Sequence, residues 1–172
     1  MELLSEYAVF LTATIYRWKP LLNNESYKKI IIDSLRFLVK DDRIYVNAFV
    51  IMNNHIHLIW QAREGYKTHE VQRDFLKYTA QMIKFDLQKN DSELLAEFRV
   101  NHRDRSYQIW QRNPLSIDLF SEKVFKQKLD YIHYNPVKAG YCQLPEEYPY
   151  SSASFYFKSD PYYSFLTHYD DL

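Results

Sequence analysis

The sequence contains only two glycines, Gly65 and Gly140, in 172 residues. The phosphate-binding loop of the nucleotide triphosphatases and the dinucleotide-binding fingerprint both require several closely spaced glycines. Neither motif can be built from this sequence. Most enzymes that depend on a nucleotide cofactor are therefore excluded.

Cysteine is equally scarce, since Cys142 is the only one. A single cysteine excludes a disulfide framework and any zinc site with several cysteines. No apolar run approaches the roughly 18 residues of a membrane-spanning helix, and the N-terminal MELLSEY lacks the pattern of a signal peptide. The sequence thus predicts a single domain, residues 1–172, in a reducing cytoplasm. The formal net charge is zero, so a nucleic-acid partner would require a local basic patch.

Apolar and aromatic residues are abundant, at 47% and 17% of the chain, and predict a packed globular protein. Hydrophobic periodicity predicts strands, helices and one central hairpin. In chain order these are a strand at 7–18, a helix ending near 40–42, a hairpin at 44–61, a helix from the candidate cap Thr68 to about 90, a helix at 92–98, short strands at 107–111 and 117–120, and a helix capped by Ser121.

This order predicts an α+β sandwich, RRM-like or ferredoxin-like, with a central, mostly antiparallel sheet and helices packed on one face. Pro136 is expected to end the last helix, because proline lacks the backbone N–H and clashes with the preceding turn. The tail from about residue 141 is rich in proline, tyrosine and serine. It is expected to be irregular and to pack across the body of the domain.

The predicted hairpin carries the first candidate site. Asn53 and Asn54 tolerate the backbone conformation of a tight turn, and His55 and His57 follow at once. Alternate residues of a strand share a face, so the two imidazoles can close on one metal ion. A pair of histidines on a solvent-facing strand is the simpler alternative, but apolar runs on both sides favour a central strand.

The second candidate lies on the last helix. Helical periodicity places Tyr131 and Asn135 side by side on the flank of the apolar stripe, with Tyr134 turned toward solvent. An ordinary boundary tyrosine and a helix-end asparagine remain the alternative reading of these two residues. Together with His55 and His57, however, an Asn135 amide oxygen gives three metal ligands, and Tyr131 gives a nucleophile for a metal-bound phosphate.

The two motifs are NNHIHLIW, at residues 53–60, and LDYIHYNPVKAG, at residues 129–140. In this order they resemble the HUH single-tyrosine transposases of small bacterial insertion sequences, and most closely the REP-associated tyrosine transposases. The resemblance covers most of the chain. It implies an RRM-like fold, with His55, His57 and Asn135 as ligands of Mg²⁺ or Mn²⁺ and Tyr131 as the residue that attacks DNA.

The resemblance also implies the reaction, which is cleavage and rejoining of single-stranded DNA with hairpin ends through a 5′-phosphotyrosine intermediate. Both a self-contained site and a homodimer that shares its helices are compatible with it. Candidate DNA-binding residues are Arg103, Arg105, Arg112, Lys128 and Lys138, and each is equally compatible with a solvated surface. Tyr107, Trp110 and Trp60 could stack on bases, although core packing is more typical of tryptophan.

Two other functions fit the same residues. One is a protein that binds hairpin nucleic acid without catalysis, in which the histidines are only structural. The other is a metal-dependent phosphodiesterase that uses water as the nucleophile. Intact motif positions favour the transposase over both alternatives.

Overall fold

A computed structural model describes residues 7–172. The strands are β1 (Val9–Thr14), β2 (Ile44–Ile51), β3 (His55–Ala62) and β4 (Leu115–Asp118). The α-helices are α1 (Glu25–Lys40), α2 (Thr68–Asn90), α3 (Ser92–Ala96), α4 (Glu122–Lys138) and α5 (Ala153–Lys158). Short 3-10 turns lie at Tyr16–Trp18, Leu21–Asn23, Pro145–Glu147 and Tyr169–Asp171.

The strands form one antiparallel sheet in the order β2-β3-β1-β4. The succession β1-α1-β2-β3-α2-β4 is that of the ferredoxin-like split unit. The predicted α+β fold is therefore confirmed. The central hairpin is confirmed as well, because β2 and β3 pair directly on either side of the Asn53–Asn54 turn.

The main core fills one face of the sheet. Leu11 of β1 and Leu58 of β3 pack there with Ile31 and Leu35 of α1 and Phe75 of α2. Because side chains alternate along a strand, the residues between them point to the opposite face. Those intervening residues include His57 in β3.

Helix α4 covers part of the opposite face, so the expectation that helices pack on one face only is wrong. Leu129 and Ile132 of α4 form a second, smaller core with Phe10, Val50 and Ile59. The central strands are apolar on both faces, which is the pattern of a sheet covered on both sides. The apolar residues on both faces of the central strands could therefore have predicted that helices pack on each face of the sheet.

The last helix also extends further than Pro136. Ser121 caps α4 as predicted, since its hydroxyl accepts a hydrogen bond from the Val124 N–H, but α4 ends at Lys138. The Ala139 N–H still donates to the Asn135 carbonyl, so the missing N–H of Pro136 interrupts only one bond. Lys138 is thereby placed two turns beyond Tyr131 on the same helix.

Other element boundaries differ in smaller ways. Residues 107–111 make only isolated bridges, Tyr107 to Arg99 and Trp110 to Ile15, so the predicted strand there is wrong. The next strand is Leu115–Asp118, slightly earlier than predicted. Thr68 is the first residue of α2, and Lys67 takes the N-cap position.

The tail packs across the body, as expected, but it is not wholly irregular because it includes α5. Its Tyr148 hydroxyl donates to the Ile51 carbonyl at 2.6 Å. Ser152 Oγ accepts from the Phe49 N–H at 3.0 Å and contacts the buried His133 Nε2 at 2.8 Å. These bonds attach the tail to the edge strand β2 and to α4. Within residues 7–172, no helix is long and apolar enough to cross a membrane.

Candidate active site

His55 and His57 lie at the start of β3, on the face that α4 covers. Their ring centroids are 4.8 Å apart, which confirms that they share a face. His57 is almost fully buried, whereas His55 is half-buried. Both imidazoles can therefore point at one position in front of the sheet.

The second ring nitrogens hold the two histidines in place. Asn54 Oδ1 lies 2.7 Å from His55 Nδ1, and Thr12 Oγ1 lies 2.8 Å from His57 Nδ1. When each Nδ1–H donates in these bonds, each Nε2 keeps its lone pair for another partner. His57 Nε2 is buried, and no group among residues 7–172 forms a hydrogen bond with it.

Burial keeps both histidines in the neutral form that binds metals. It lowers the pKa of His57 to about 3, and the charges of His55 and Lys128 act in the same direction. Burial also lowers the pKa of His55, although a hydrogen bond with the Asn135 side chain opposes that shift.

Tyr131 approaches the histidines from α4. Its ring centroid lies 5.2 Å from that of His57 and 6.0 Å from that of Phe10, edge to face in both cases. Phe10 itself stacks on His57 at 5.3 Å. The Tyr131 side chain remains 42% exposed, so an incoming substrate can reach it.

Asn135 follows Tyr131 by one turn, and its side chain reaches His55. One chain therefore brings together the four predicted residues, His55, His57, Tyr131 and Asn135. Tyr134 is as exposed as Tyr131, in agreement with its predicted orientation toward solvent. Its ring contacts Phe157 at 6.4 Å, and it lines the same open groove as Tyr131.

Two of the predicted basic residues lie beside Tyr131. Lys128 Nζ is 4.8 Å from the ring centroid of Phe10 and 5.8 Å from that of Tyr131, and Lys138 Nζ is 5.9 Å from the latter. Tyr131 and Lys138 also line an open groove of about 610 Å³. Two lysines thus lie beside the tyrosine, and the carboxylate of Asp130 lines the same groove.

The sequence model of the IS200-like transposases matches residues 5–112, more than half of the chain. The chain belongs to this family. The family resemblance predicted from the two motifs is confirmed. The matched region of this IS200-like transposase contains the histidine pair and ends before α4 begins.

Two curated relatives are REP-associated tyrosine transposases. The one from Haemophilus influenzae, described as putative, is 35% identical over 107 residues, which are 61% of this chain and 56% of the relative. The one from Escherichia coli is 27% identical over 115 residues, which are 66% of this chain and 58% of the relative. The matches thus span a little over half the length of each relative.

Two solved structures have the same fold. A REP-associated tyrosine transposase bound to a REP hairpin has a TM-score of 0.65 and 20% identity, covering 88% of this chain and 79% of that chain. A putative transposase from Deinococcus radiodurans has a TM-score of 0.51 and 14% identity, covering 77% and 92%. At these identities the similarity establishes the fold alone.

The three predicted arginines of this IS200-like transposase lie outside α4, in the segment between α3 and β4. Arg105 and Arg112 both form ion pairs with Asp104, at 2.9 and 3.3 Å. Arg103 is exposed in the same loop. No cation–ring contact within residues 7–172 joins these arginines to Tyr131, whereas Gln111, next to Arg112, accepts a hydrogen bond from the Arg17 N–H.

Several side chains at the site are absent from the sequence-based prediction. Phe10 and Thr12 contact His57, Asn54 holds His55, and Trp18 lies beside His55 with ring centroids 6.4 Å apart. The alternation of Phe10 and Thr12 along β1 would have placed them on one face. Only the strand register, which pairs Thr12 with His57, shows which residues they meet.

The donor set for a metal is two imidazoles and an amide. Within residues 7–172, no cluster of three or more His, Cys, Asp or Glu side chains is arranged to hold an ion, so Asn135 is the candidate for the third ligand. The unpartnered His57 Nε2 and the neutral state of both histidines fit such a role.

Proposed function

We propose that this IS200-like transposase cleaves and rejoins single-stranded DNA, with Tyr131 as the nucleophile. The observation that carries the proposal is the edge-to-face contact of Tyr131 with the buried His57, 5.2 Å between centroids, within a single chain. The family supports a transposase in general terms.

In the proposed reaction, the Tyr131 hydroxyl oxygen attacks the phosphorus of a DNA phosphodiester. The bond from phosphorus to the 3′-oxygen of the preceding nucleotide breaks, and a bond from phosphorus to the tyrosine oxygen forms. The tyrosine loses its proton, and the departing oxygen gains one to become a 3′-hydroxyl. The resulting 5′-phosphotyrosine is again a phosphodiester, so attack by a 3′-hydroxyl rejoins the strand and releases the tyrosine.

His55, His57 and Asn135 would hold a divalent ion, Mg²⁺ or Mn²⁺. Such an ion acts as a Lewis acid that polarises a phosphoryl oxygen. Imidazole ligands would also accept Zn²⁺, so the residue chemistry does not fix the ion. Thr12 and Asn54 would fix the orientation of the two imidazoles through their Nδ1 atoms.

The proposed DNA partner is a single strand with hairpin ends. A relative of this fold is bound to a REP hairpin, and Lys128 and Lys138 supply positive charge beside the nucleophile. Arg103, Arg105 and Arg112 would contact the strand further from the site. Because one chain holds all four site residues, a homodimer is not needed to complete the site.

The decisive experiment is covalent trapping of DNA. The protein is incubated with Mg²⁺ and a pool of labelled single strands, in which a hairpin is flanked by random tails, and adducts are separated on a denaturing gel. Wild type and Tyr134→Phe are expected to form the adduct. Tyr131→Phe is expected to form none, although it retains the fold and the binding of DNA.

Other outcomes identify the competing functions. Tight hairpin binding with no adduct in any variant indicates a protein that binds without catalysis. Cleavage that persists in Tyr131→Phe but is lost in His57→Ala indicates a phosphodiesterase that uses water. An equal yield of adduct from Tyr131→Phe overturns the assignment of the nucleophile.

A further inference from the structure

The segment that follows β1 has an unusual backbone. Arg17 and Trp18 are consecutive non-glycine residues with left-handed φ values of 55° and 57°. Such conformations are sparsely populated and persist where the surrounding structure imposes them. Here the Ile15 N–H donates to the Asn54 carbonyl, and the Leu22 N–H donates to the Asn53 carbonyl, at 2.8 and 2.9 Å. Both ends of the segment are therefore bound to the turn that precedes His55.

This backbone holds the Trp18 indole in solvent. Trp18 is 64% exposed, whereas the other two tryptophans of the chain, Trp60 and Trp110, are 1% and 6% exposed. Trp60 packs on Phe75, and Trp110 donates its indole N–H to the Thr79 hydroxyl. The buried pair is thus unable to stack on bases, and Trp18 is the tryptophan that remains available.

Trp18 lies at the edge of the candidate site. Its ring contacts His55 at 6.4 Å, His55 contacts His57 at 4.8 Å, and His57 contacts Tyr131 at 5.2 Å. The four rings form a continuous row from the indole to the nucleophile. A strand whose phosphate lies at the histidines therefore has a base within reach of Trp18.

Basic residues lie close to the Trp18 indole in the chain and across the Arg17–Gln111 contact. Arg17 is exposed, and within residues 7–172 no carboxylate lies at ion-pair distance from it. Its backbone N–H donates to Gln111 Oε1 at 3.3 Å, which brings the segment that ends in Arg112 alongside. Exposed aromatic rings flanked by positive charge are the usual surface for single-stranded nucleic acid.

We propose that Trp18 stacks on the nucleobase next to the phosphate that His55 and His57 position. The inference rests on the proposed function, because it assumes that single-stranded DNA occupies the site. Stacking tolerates any base, so Trp18 would position the strand without reading its sequence. The bonds to Asn53 and Asn54 would fix that base relative to the histidine pair.

A binding cycle, which compares the affinities of protein variants for intact and abasic DNA, tests this contact. In a Tyr131→Phe background, which prevents covalent trapping, Trp18→Ala is compared with Trp18→Phe. The probes are one hairpin with a 5′ or a 3′ thymidine tail, and the same hairpins with abasic tails. Phe37→Ala is the control, because Phe37 is similarly exposed at 57% but lies on α1, on the other face of the sheet. Indole fluorescence of the Trp18 protein is followed in the same titrations.

One thymidine tail, 5′ or 3′, is expected to bind about 5- to 150-fold more weakly to Trp18→Ala, the loss typical of one stacked base. Trp18→Phe should retain most of the affinity, and Phe37→Ala all of it. The abasic tails should bind equally to all variants, and only the thymidine tail should quench the indole. Equal affinity of Trp18→Ala and its parent for both thymidine tails overturns the proposal. An equal loss of affinity for the abasic tails overturns it as well, and so does a parent protein that binds none of the tails.

The covalent assay separates this inference from the proposed function. An adduct on Tyr131 with no effect of Trp18→Ala in the binding cycle leaves the strand transferase and removes the stacking contact. A positive binding cycle without any adduct leaves the stacking contact and removes the strand transferase.

Discussion

The hydroxyl of Thr12 lies 2.8 Å from His57 Nδ1 and links two central strands of the sheet. Through this bond, the strand that begins the fold orients a side chain of the candidate site. His57 Nε2 is left buried and without a hydrogen-bond partner among residues 7–172.

Loss of the Thr12 hydroxyl should weaken the site without unfolding the protein. Thr12→Val keeps the shape of the side chain but removes the hydrogen bond that orients His57, which typically costs about 10- to 100-fold in metal affinity or activity. Thr12→Ser restores the hydroxyl and should recover most of the loss. The adduct yield as a function of Mn²⁺ concentration is measured for both variants and for wild type. Equal Mn²⁺ dependence of Thr12→Val and wild type would show that the bond has no role.

Removal of His57 should strongly weaken the binding of Mn²⁺. We expect His57→Ala to lower the Mn²⁺ affinity by at least about 100-fold, because even an outer-shell partner is worth 10- to 100-fold. Calorimetric titration of the DNA-free protein gives the affinity. His69→Ala, an exposed histidine on α2, is the matched control and should bind as wild type does. If His57→Ala binds Mn²⁺ as tightly as His69→Ala, the histidine pair is not a metal site.

The amide of Asn135 should be replaceable by a carboxylate but not by a methyl group. Asn135→Ala loses an oxygen ligand and should bind Mn²⁺ about tenfold more weakly or worse, whereas Asn135→Asp adds a negative charge and should bind at least as tightly as wild type. The same titration distinguishes them. Three equal affinities would mean that Asn135 contacts His55 only and takes no part in holding an ion.

Lys128 and Lys138 should contribute to DNA binding as point charges. Lys128→Gln and Lys138→Gln are each expected to reduce the slope of log affinity against log salt by about one. Lys29→Gln is the control, because Lys29 pairs with Asp33 on α1, away from the site. Fluorescence anisotropy of a labelled hairpin over a salt series gives the slopes. Unchanged slopes in both variants would place the DNA elsewhere on the surface.

The interface that holds α4 should depend on Ile132, which is fully buried in the smaller core. Ile132→Ala leaves a cavity there and should destabilise the packing of α4 by about 2 to 5 kcal/mol. Hydrogen exchange should show faster exchange in α4 while β1 and β3 stay protected. Equal acceleration in the sheet would instead mean that the two cores unfold together.

Local patterns in the sequence account for much of the fold. Apolar alternation and the Asn53–Asn54 turn predict the hairpin, and the order of elements predicts the ferredoxin-like sheet. The extension of α4 past Pro136 was not predictable from the proline alone. It depends on Ala139 and Tyr141, whose N–H groups bond to the carbonyls of Asn135 and Pro136.

The candidate site was predictable only in part, because some of its contacts join segments that are distant in the sequence. Strand and helix periodicity identify which side chains share a face, and so pair His55 with His57 and Tyr131 with Asn135. The contacts of Thr12 and Trp18 depend on the register of β1 against β3 and on a strained backbone. Neither can be determined from the residues nearest in sequence.

The separate support of the two halves of the site has a thermal consequence. The histidines belong to β3, which the main core stabilises, whereas Tyr131 belongs to a helix held by the smaller core. Small packed units open at lower free energy than the domain as a whole. On heating, Tyr131 and Asn135 should therefore separate from the two histidines while the sheet is still folded. Inactivation would then be reversible on cooling, and bound DNA that spans both halves would raise the temperature at which it occurs.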